Sequence, residues 1–262
     1  TTEKKNTIFL NLGMNIVTTL KSKDSSARDA ARDSLSKMVL TMGMSSLQIV
    51  LYELNHSLIS GYQRHVRNYT VRSLLTAVLE HYVPDSTAFS IPILTSASDD
   101  AALAADYANK ITIPDFDKCV PIIIEFCMDD INGIANEDRE TKDDVKRTLI
   151  REAKGNKANE ILEMCGKCLL FRPTYALLPF PKSEISANVS VPVPATSSSL
   201  HSLVTPLLNV LTDPDEEVSS AIIGRISEAL QRIALGLSKN SSFLSSELLL
   251  YLHATLHPFV AR

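Results

Sequence analysis

Residues 25–82 read SSARDAARDSLSKMVLTMGMSSLQIVLYELNHSLISGYQRHVRNYTVRSLLTAVLEHY. Three amphipathic helices follow one another here with almost no loop between them. Ala31, Leu35, Met38 and Met42 step by four, three and four, so they share a face. Leu47, Val50, Leu51, Leu54 and Leu58 repeat the pattern, and Val71, Leu74, Leu75, Val78 and Tyr82 repeat it again. This is the spacing of a helical apolar stripe. A single helix cannot bury its stripe alone, so neighbours must stack. Antiparallel helices joined by tight turns and repeated along a chain predict an all-α, HEAT/armadillo-like α-solenoid. Such a surface grips partners and carries no built-in chemistry.

The turns fit this reading. Ser45 followed by Gln48 has capping-box spacing and predicts the start of the second helix. Gly61 stands just past that helix, at a position suited to a left-handed terminator. Pro84 prevents the third from continuing.

Working outward, Ile8, Leu12, Ile16 and Leu20 predict an earlier helix over residues 6–21. Residues 83–114 are rich in Ser, Ala, Asp and Pro and read as an insertion, with a short helix near Ala101–Ala108. Helical patterning resumes at DFDKCVPIIIEFCMDDING, with Asp115 or Asp117 as cap and Val120, Ile124, Cys127 and Ile131 on one face. Pro121 falls in the first turn, where it is tolerated. A charged helix over Thr141–Ala153 precedes one over Lys157–Phe171, striped by Ala158, Ile161, Leu162, Cys165 and Leu169. Residues 179–199, with four prolines and many serines, read as a second insertion. Leu200, Leu203, Val204, Leu207 and Leu211 mark a helix that Pro206 should kink. A further long helix takes Asp213 as its cap, and a last one covers Ser245–Leu256. The expected sum is ten helices in five pairs. They form a single helical-repeat segment over 1–262, part of a larger protein.

Composition narrows the function. Hydrophobic residues make up 45% of the 262, enough for a real core, while aromatics are 6% and Trp is absent, so that core is aliphatic. With 26 basic and 30 acidic residues the net charge is −4, which gives no general attraction for polyanions and leaves only local basic stripes. No apolar run is long enough to predict a membrane span. The N-terminal TTEKKNTIFLNLG does not read as a secretory signal, so the four cysteines are expected as reduced thiols.

Candidate chemistry is sparse. Cys165-Gly-Lys-Cys168 sits within a helical stripe rather than at a strand–helix junction, and Cys119 and Cys127 are eight apart, a poor second pair for zinc. His253 and His257 are four apart but lack the glutamate of a zinc-protease helix, and Pro258 ends that helix. Nucleotide-binding and nucleophile-elbow signatures are missing from the sequence. The expectation is no enzyme, no metal, no cofactor and no small-molecule substrate. Two basic stripes remain as candidate contacts with phosphate or a protein partner. One is Arg147, Arg151 and Lys154, spaced four and three apart. The other is Arg64, His65, Arg67 and Arg72, beside Tyr62 and Tyr69.

ELNHSLISGYQRHVRNYTVRSLL carries more than periodicity. Gly61-Tyr62-Gln63, His65-Val66 and Tyr69-Thr70-Val71, with the Ala-Arg-Asp start of Ala31–Val39, resemble the giant HEAT-repeat scaffold family of the nucleolar small-subunit processome, also known as down-regulated-in-metastasis. Asp117, Cys119 and Glu125 fall at corresponding points of a later family helix, and REAKGNKANEIL and RISEALQRIALGL are similar to family segments. Both insertions depart from the pattern. The resemblance implies a non-enzymatic scaffold in pre-ribosomal RNA processing and 18S maturation, in the nucleolus or nucleus. Its implied partners are other processome proteins and pre-ribosomal or small nucleolar RNA. The alternative within the same fold is another HEAT-like adaptor, such as a nuclear transport receptor or a phosphatase scaffold. A thiol or metal enzyme built on Cys165 and Cys168 is the rival from another class.

Overall fold

The computed structural model describes residues 2–59, 61–80, 116–132, 151–169, 174–177, 192–196, 198–212 and 218–240. Eight α-helices lie among them. They are α1 (Thr2–Thr19), α2 (Ser25–Met42), α3 (Met44–Ser57), α4 (Tyr62–Leu79), α5 (Val120–Ile131), α6 (Lys157–Cys168), α7 (Ser198–Thr212) and α8 (Ser220–Ser238). Single 3-10 turns stand at Asp117–Cys119 and Arg151–Ala153.

The helices form two rows. In one, α1 packs on α3, α3 on α5 and α5 on α7; in the other, α2 packs on α4, α4 on α6 and α6 on α8. Each consecutive pair, α1–α2, α3–α4, α5–α6 and α7–α8, bridges the rows. This alternation is what stacked antiparallel helix pairs produce, and the fold is all-α.

The core lies between the rows and follows the apolar stripes. Leu47, Val50, Leu51, Leu54 and Leu58 are all buried, as are Val71, Leu74, Leu75 and Val78, and Val120, Ile124, Cys127 and Ile131. The α6 stripe is buried throughout. Each such side chain contributes about 1.5–3 kcal/mol by leaving water. Local chemistry sets the boundaries. Asp24 caps α2 by accepting from the N–H groups of Ser26 at 3.0 Å and Ala27 at 3.3 Å. Gly43 alone separates α2 from α3, at φ +87°, a conformation that side chains with a Cβ rarely adopt.

Several expectations need correction. In α1 the buried face is Gly13, Val17 and Leu20 rather than Leu12, which is 51% exposed. Gly13 faces Met38 of α2, where a Cβ would stand in ordinary van der Waals contact with Met38 Cε at 3.5 Å. Ile8 lies outside the described side chains. Met42 and Leu211 are exposed because they fall in the last turns of α2 and α7, past the reach of the neighbouring row. Ser45 does not cap α3: the cap falls two residues earlier, at Gly43, and the helix starts at Met44. Gly61, at φ +54°, opens α4 rather than closing α3. Asp117 begins the 3-10 turn, and its Oδ2 accepts from Ser199 Oγ at 2.7 Å, tying α5 to α7. Helix α8 is capped by Ser219, whose Oγ accepts from the Ile222 N–H, so it starts well after Asp213.

A two-stranded antiparallel pair, β1 (Thr174–Leu177) with β2 (Pro192–Thr196), contradicts the expectation of no sheet and places a strand inside the 179–199 break. Its strands are short, and prolines at 192 and 194 conceal the pairing from any periodicity argument. Residues Arg151–Ala153 form a 3-10 turn rather than the end of an α-helix. Tyr82, the 83–114 insertion with Ala101–Ala108, Asp115, Asp213, most of 141–153 including Arg147, and the Ser245–Leu256 helix lie outside the described residues.

Candidate nucleic-acid interface

The even-numbered helices begin along one edge of the stack. Here the Tyr62 hydroxyl at the start of α4 donates to the Lys21 carbonyl in the α1–α2 turn at 2.7 Å. Arg28 Nη1 donates to the Ser22 and Lys23 carbonyls of the same turn. Residues 151–156, which lead into α6, run back along this edge to the start of α2.

An ion cluster fixes that segment. Glu152, fully buried, accepts from Arg28 Nε at 2.8 Å and Nη2 at 2.9 Å, a two-pronged pairing, and from Arg32 Nη2 at 3.0 Å. Arg32 also binds Asp29 at 2.5 Å, and Arg151 pairs with Asp29. Tyr69 on α4 lies under three cations, with Arg32 at 4.8 Å, Arg151 at 5.3 Å and Lys157 at 5.7 Å from its ring centre. Burial pushes the Glu152 carboxyl up, but the Arg28 hydrogen bonds and the Arg28 and Arg32 charges outweigh it and hold it below its ordinary value. Asp29 behaves in the same way through Arg32 and Arg151.

Beside this cluster opens a cleft of about 220 Å³. His65 and Asn68 of α4, Asp130 of α5, Glu152, Ala153 and Gly155 to Lys157, and Arg225 of α8 line it. Burial pushes the Asp130 carboxyl up toward its neutral form; Asn68, His65 and Arg67 oppose this and Asp129 adds to it.

The predicted stripes are thus split. Arg67 is buried: Nη2 binds Asp129 at 2.6 Å and the guanidinium lies 4.3 Å from the Phe126 ring centre. It joins α4 to α5. Arg72 pairs with Glu160 of α6. Arg64 Nε donates to the Ile59 carbonyl at 2.8 Å and closes the α3–α4 turn. His65 lines the cleft, Arg151 is half-exposed and Lys154 is exposed. The edge therefore gathers His65, Arg151 and Lys154, while Arg67 and Arg72 serve helix packing. Arg225 escaped the sequence reading because it stands singly in an apolar helix. Arg28 and Arg32 did so because basic residues beside a stripe look like solvent contacts. Lys157 follows the Arg151 and Lys154 stripe in sequence and opens α6, which Asn156 caps by accepting from the Ala158 N–H at 2.9 Å.

All four cysteines are buried thiols. Burial pushes Cys127 and Cys165 well up, and Cys168 up to about 12. A buried thiol held in its neutral form is a poor nucleophile and a poor metal ligand. Among the described residues, no helix is long and apolar enough to cross a membrane, and no group of three His, Cys, Asp or Glu side chains is placed to hold a metal ion.

Paired helices in two rows, with charged residues gathered along one edge, define the helical-repeat class, whose members work through extended surfaces. Within that class, the chain belongs to the U3 small nucleolar RNA-associated protein 20 domain family, whose model matches residues 2–256. It is similar to U3 small nucleolar RNA-associated protein 20 of Schizosaccharomyces pombe, at 23% identity over 243 residues, covering 93% of this chain and 7% of that protein. It is also similar to the protein of the same name from Saccharomyces cerevisiae, at 26% identity over 242 residues, covering 91% and 7%. The chain thus spans about 7% of the length of these relatives. The resemblance carried by Gly61–Val71 is to this family.

Proposed function

We propose that the chain is one helical-repeat segment of a small-subunit processome protein and acts there as a non-catalytic scaffold. The observation that carries this reading is the family match across residues 2–256. The relatives' name ties them to U3 small nucleolar RNA, and the same association is proposed here. The stacked rows support a scaffold role, because each helix pair exposes edges on which partners can lie. In this reading residues 1–262 form a single helical-repeat segment, with 83–114 and 179–199 as insertions in its sequence. The protein works in the nucleolus on 18S maturation, meeting other processome proteins and pre-ribosomal RNA. Of the basic residues, His65, Arg151 and Lys154 are the accessible candidates, with Arg147 beside them in sequence. Arg64, Arg67 and Arg72 act through helix packing.

The test is purification of the tagged full-length protein from cells, followed by measurement of the RNA it brings down. U3 small nucleolar RNA and 18S precursors should be enriched. Replacing this segment with an unrelated linker should reduce mature 18S RNA. Recovery of transport cargo or a phosphatase subunit, with no U3 RNA, would overturn the reading.

A further inference from the structure

The cleft is built from four elements that meet where α4, α6 and α8 begin and α5 ends. Its two carboxylates present little free negative charge. Glu152 is committed to Arg28 and Arg32, and Asp130 is half-buried and hydrogen-bonded to Asn68 of α4. Its cations are less spent. Lys157 has Glu160 at 3.6 Å, a loose pair, and Tyr69 beneath it. Arg225 Nε is buried and finds no acceptor among the described residues. A buried guanidinium N–H without an acceptor is costly, and a ligand oxygen would remove that cost. At about 220 Å³ the space is some seven times the ~30 Å³ share of a water, enough for a phosphate and part of its sugar.

The cleft also lies in a row of cations. Lys21 and Lys23 are exposed in the α1–α2 turn, which touches both Tyr62 and Arg28. Next along the edge come Arg151 and Lys154, then Lys157 and Arg225. Acidic neighbours are occupied: Asp24 caps α2, Asp29 holds Arg32 and Arg151, and Asp129 holds Arg67. Cations spread from the α1–α2 turn through residues 151–157 to α8 suit a repeating anion better than one phosphorylated side chain.

We propose that this edge binds the phosphodiester backbone of single-stranded RNA. One phosphate sits between Lys157 and Arg225, and its neighbours meet Lys154 and the Lys21–Lys23 turn. The inference deepens the proposed function and rests on it for placing the chain beside RNA.

The test is fluorescence anisotropy of a labelled oligouridine with the 262-residue chain at several salt concentrations. The wild type should bind. The double variant Lys157→Gln/Arg225→Gln should bind about tenfold more weakly, with a salt slope shallower by about 0.7, the share of the one phosphate these two side chains hold on a single strand. Lys167→Gln, exposed at the far end of α6, should change nothing. Equal binding by the wild type and the double variant would overturn the edge. So would tighter binding of a phosphoserine peptide than of oligouridine, which would assign the cleft to a protein. If the double variant melts early, photo-crosslinking of thiouridine RNA to the wild type decides: crosslinks at 154–157 and His65 support the edge, and crosslinks confined to the Lys167 end overturn it. Failure of the wild type to bind while U3 RNA still co-purifies from cells would overturn the edge and leave the processome reading standing.

Discussion

Two junctions in the same row of helices are made of opposite materials. Helices α2 and α4 meet across a buried ion cluster in which Arg28, Arg32, Glu152 and Asp29 bind one another above Tyr69. Helices α6 and α8 meet on two glycines. A Cβ on Gly166 would come within 2.7 Å of the Ile233 carbonyl oxygen, and one on Gly236 would run into the Glu163 carbonyl. Asn240 then closes α6 by donating to the Gly166 carbonyl at 2.9 Å and the Leu169 carbonyl at 2.6 Å. The glycine junction gains from dispersion at close range and needs only that nothing be added. The ionic junction needs every member present, because a buried charge that loses its partner is more expensive than the pair was valuable. The difference teaches that one row can be rigid at one end and conditional on a connecting segment at the other. The conditional end carries Arg151 and Lys154, while Lys157 and Arg225 stand on the helices of the glycine junction.

The largest expected effect falls on both junctions at once. Leu51 is fully buried between the rows, so Leu51→Asp places an unpaired charge where every helix pair depends on dryness. The cooperative thermal transition should disappear; an unchanged melting temperature would mean that the two rows do not share this interior. Next, Glu152→Ala leaves Arg28 and Arg32 buried without their acceptor. It should cost about 3–5 kcal/mol in a denaturant titration, and a loss near zero would show the cluster to be hydrated. Gly236→Ala should cost less, about 1–3 kcal/mol, as α6 and α8 are forced apart. A neutral result there would contradict the close approach.

The smallest effect comes from acid. Glu152 and Asp29 have carboxyls held below their ordinary values of 4.5 and 3.8. Their contribution is therefore fully present above about pH 4.5 and is lost as pH falls through the lowered values. Melting temperature should fall in that window for the wild type and much less for Glu152→Ala. Gly236→Ala should keep the wild-type acid slope, which separates the junctions by pH alone.

The glycine junction and the ion cluster were also the parts least legible in the sequence. The stripes of α3, α5 and α6 were readable because uninterrupted Leu, Ile and Val at helical spacing have only one use. Arg28 and Arg32 lie on the same buried side as Ala31 and Leu35, but a basic residue beside a stripe is usually solvated, and only a carboxylate over a hundred residues away buries them. Glu152 read as part of a charged helix for the same reason. Gly166, inside Cys165–Cys168, drew the eye to its cysteines, whereas its function is the missing side chain. At the interface, His65 and Lys154 were found by their clustering in sequence. Arg225 was not, because it meets them only through the stacking of α8 beside α6.

Hydrogen exchange on the Glu152→Ala and Gly236→Ala variants tests the contrast between the junctions most directly, since amide protection reports local opening helix by helix. The account predicts that Glu152→Ala speeds exchange in α2 and the first half of α4 while α8 keeps its protection, and that Gly236→Ala does the reverse. Uniform loss of protection along all eight helices in both variants would contradict it.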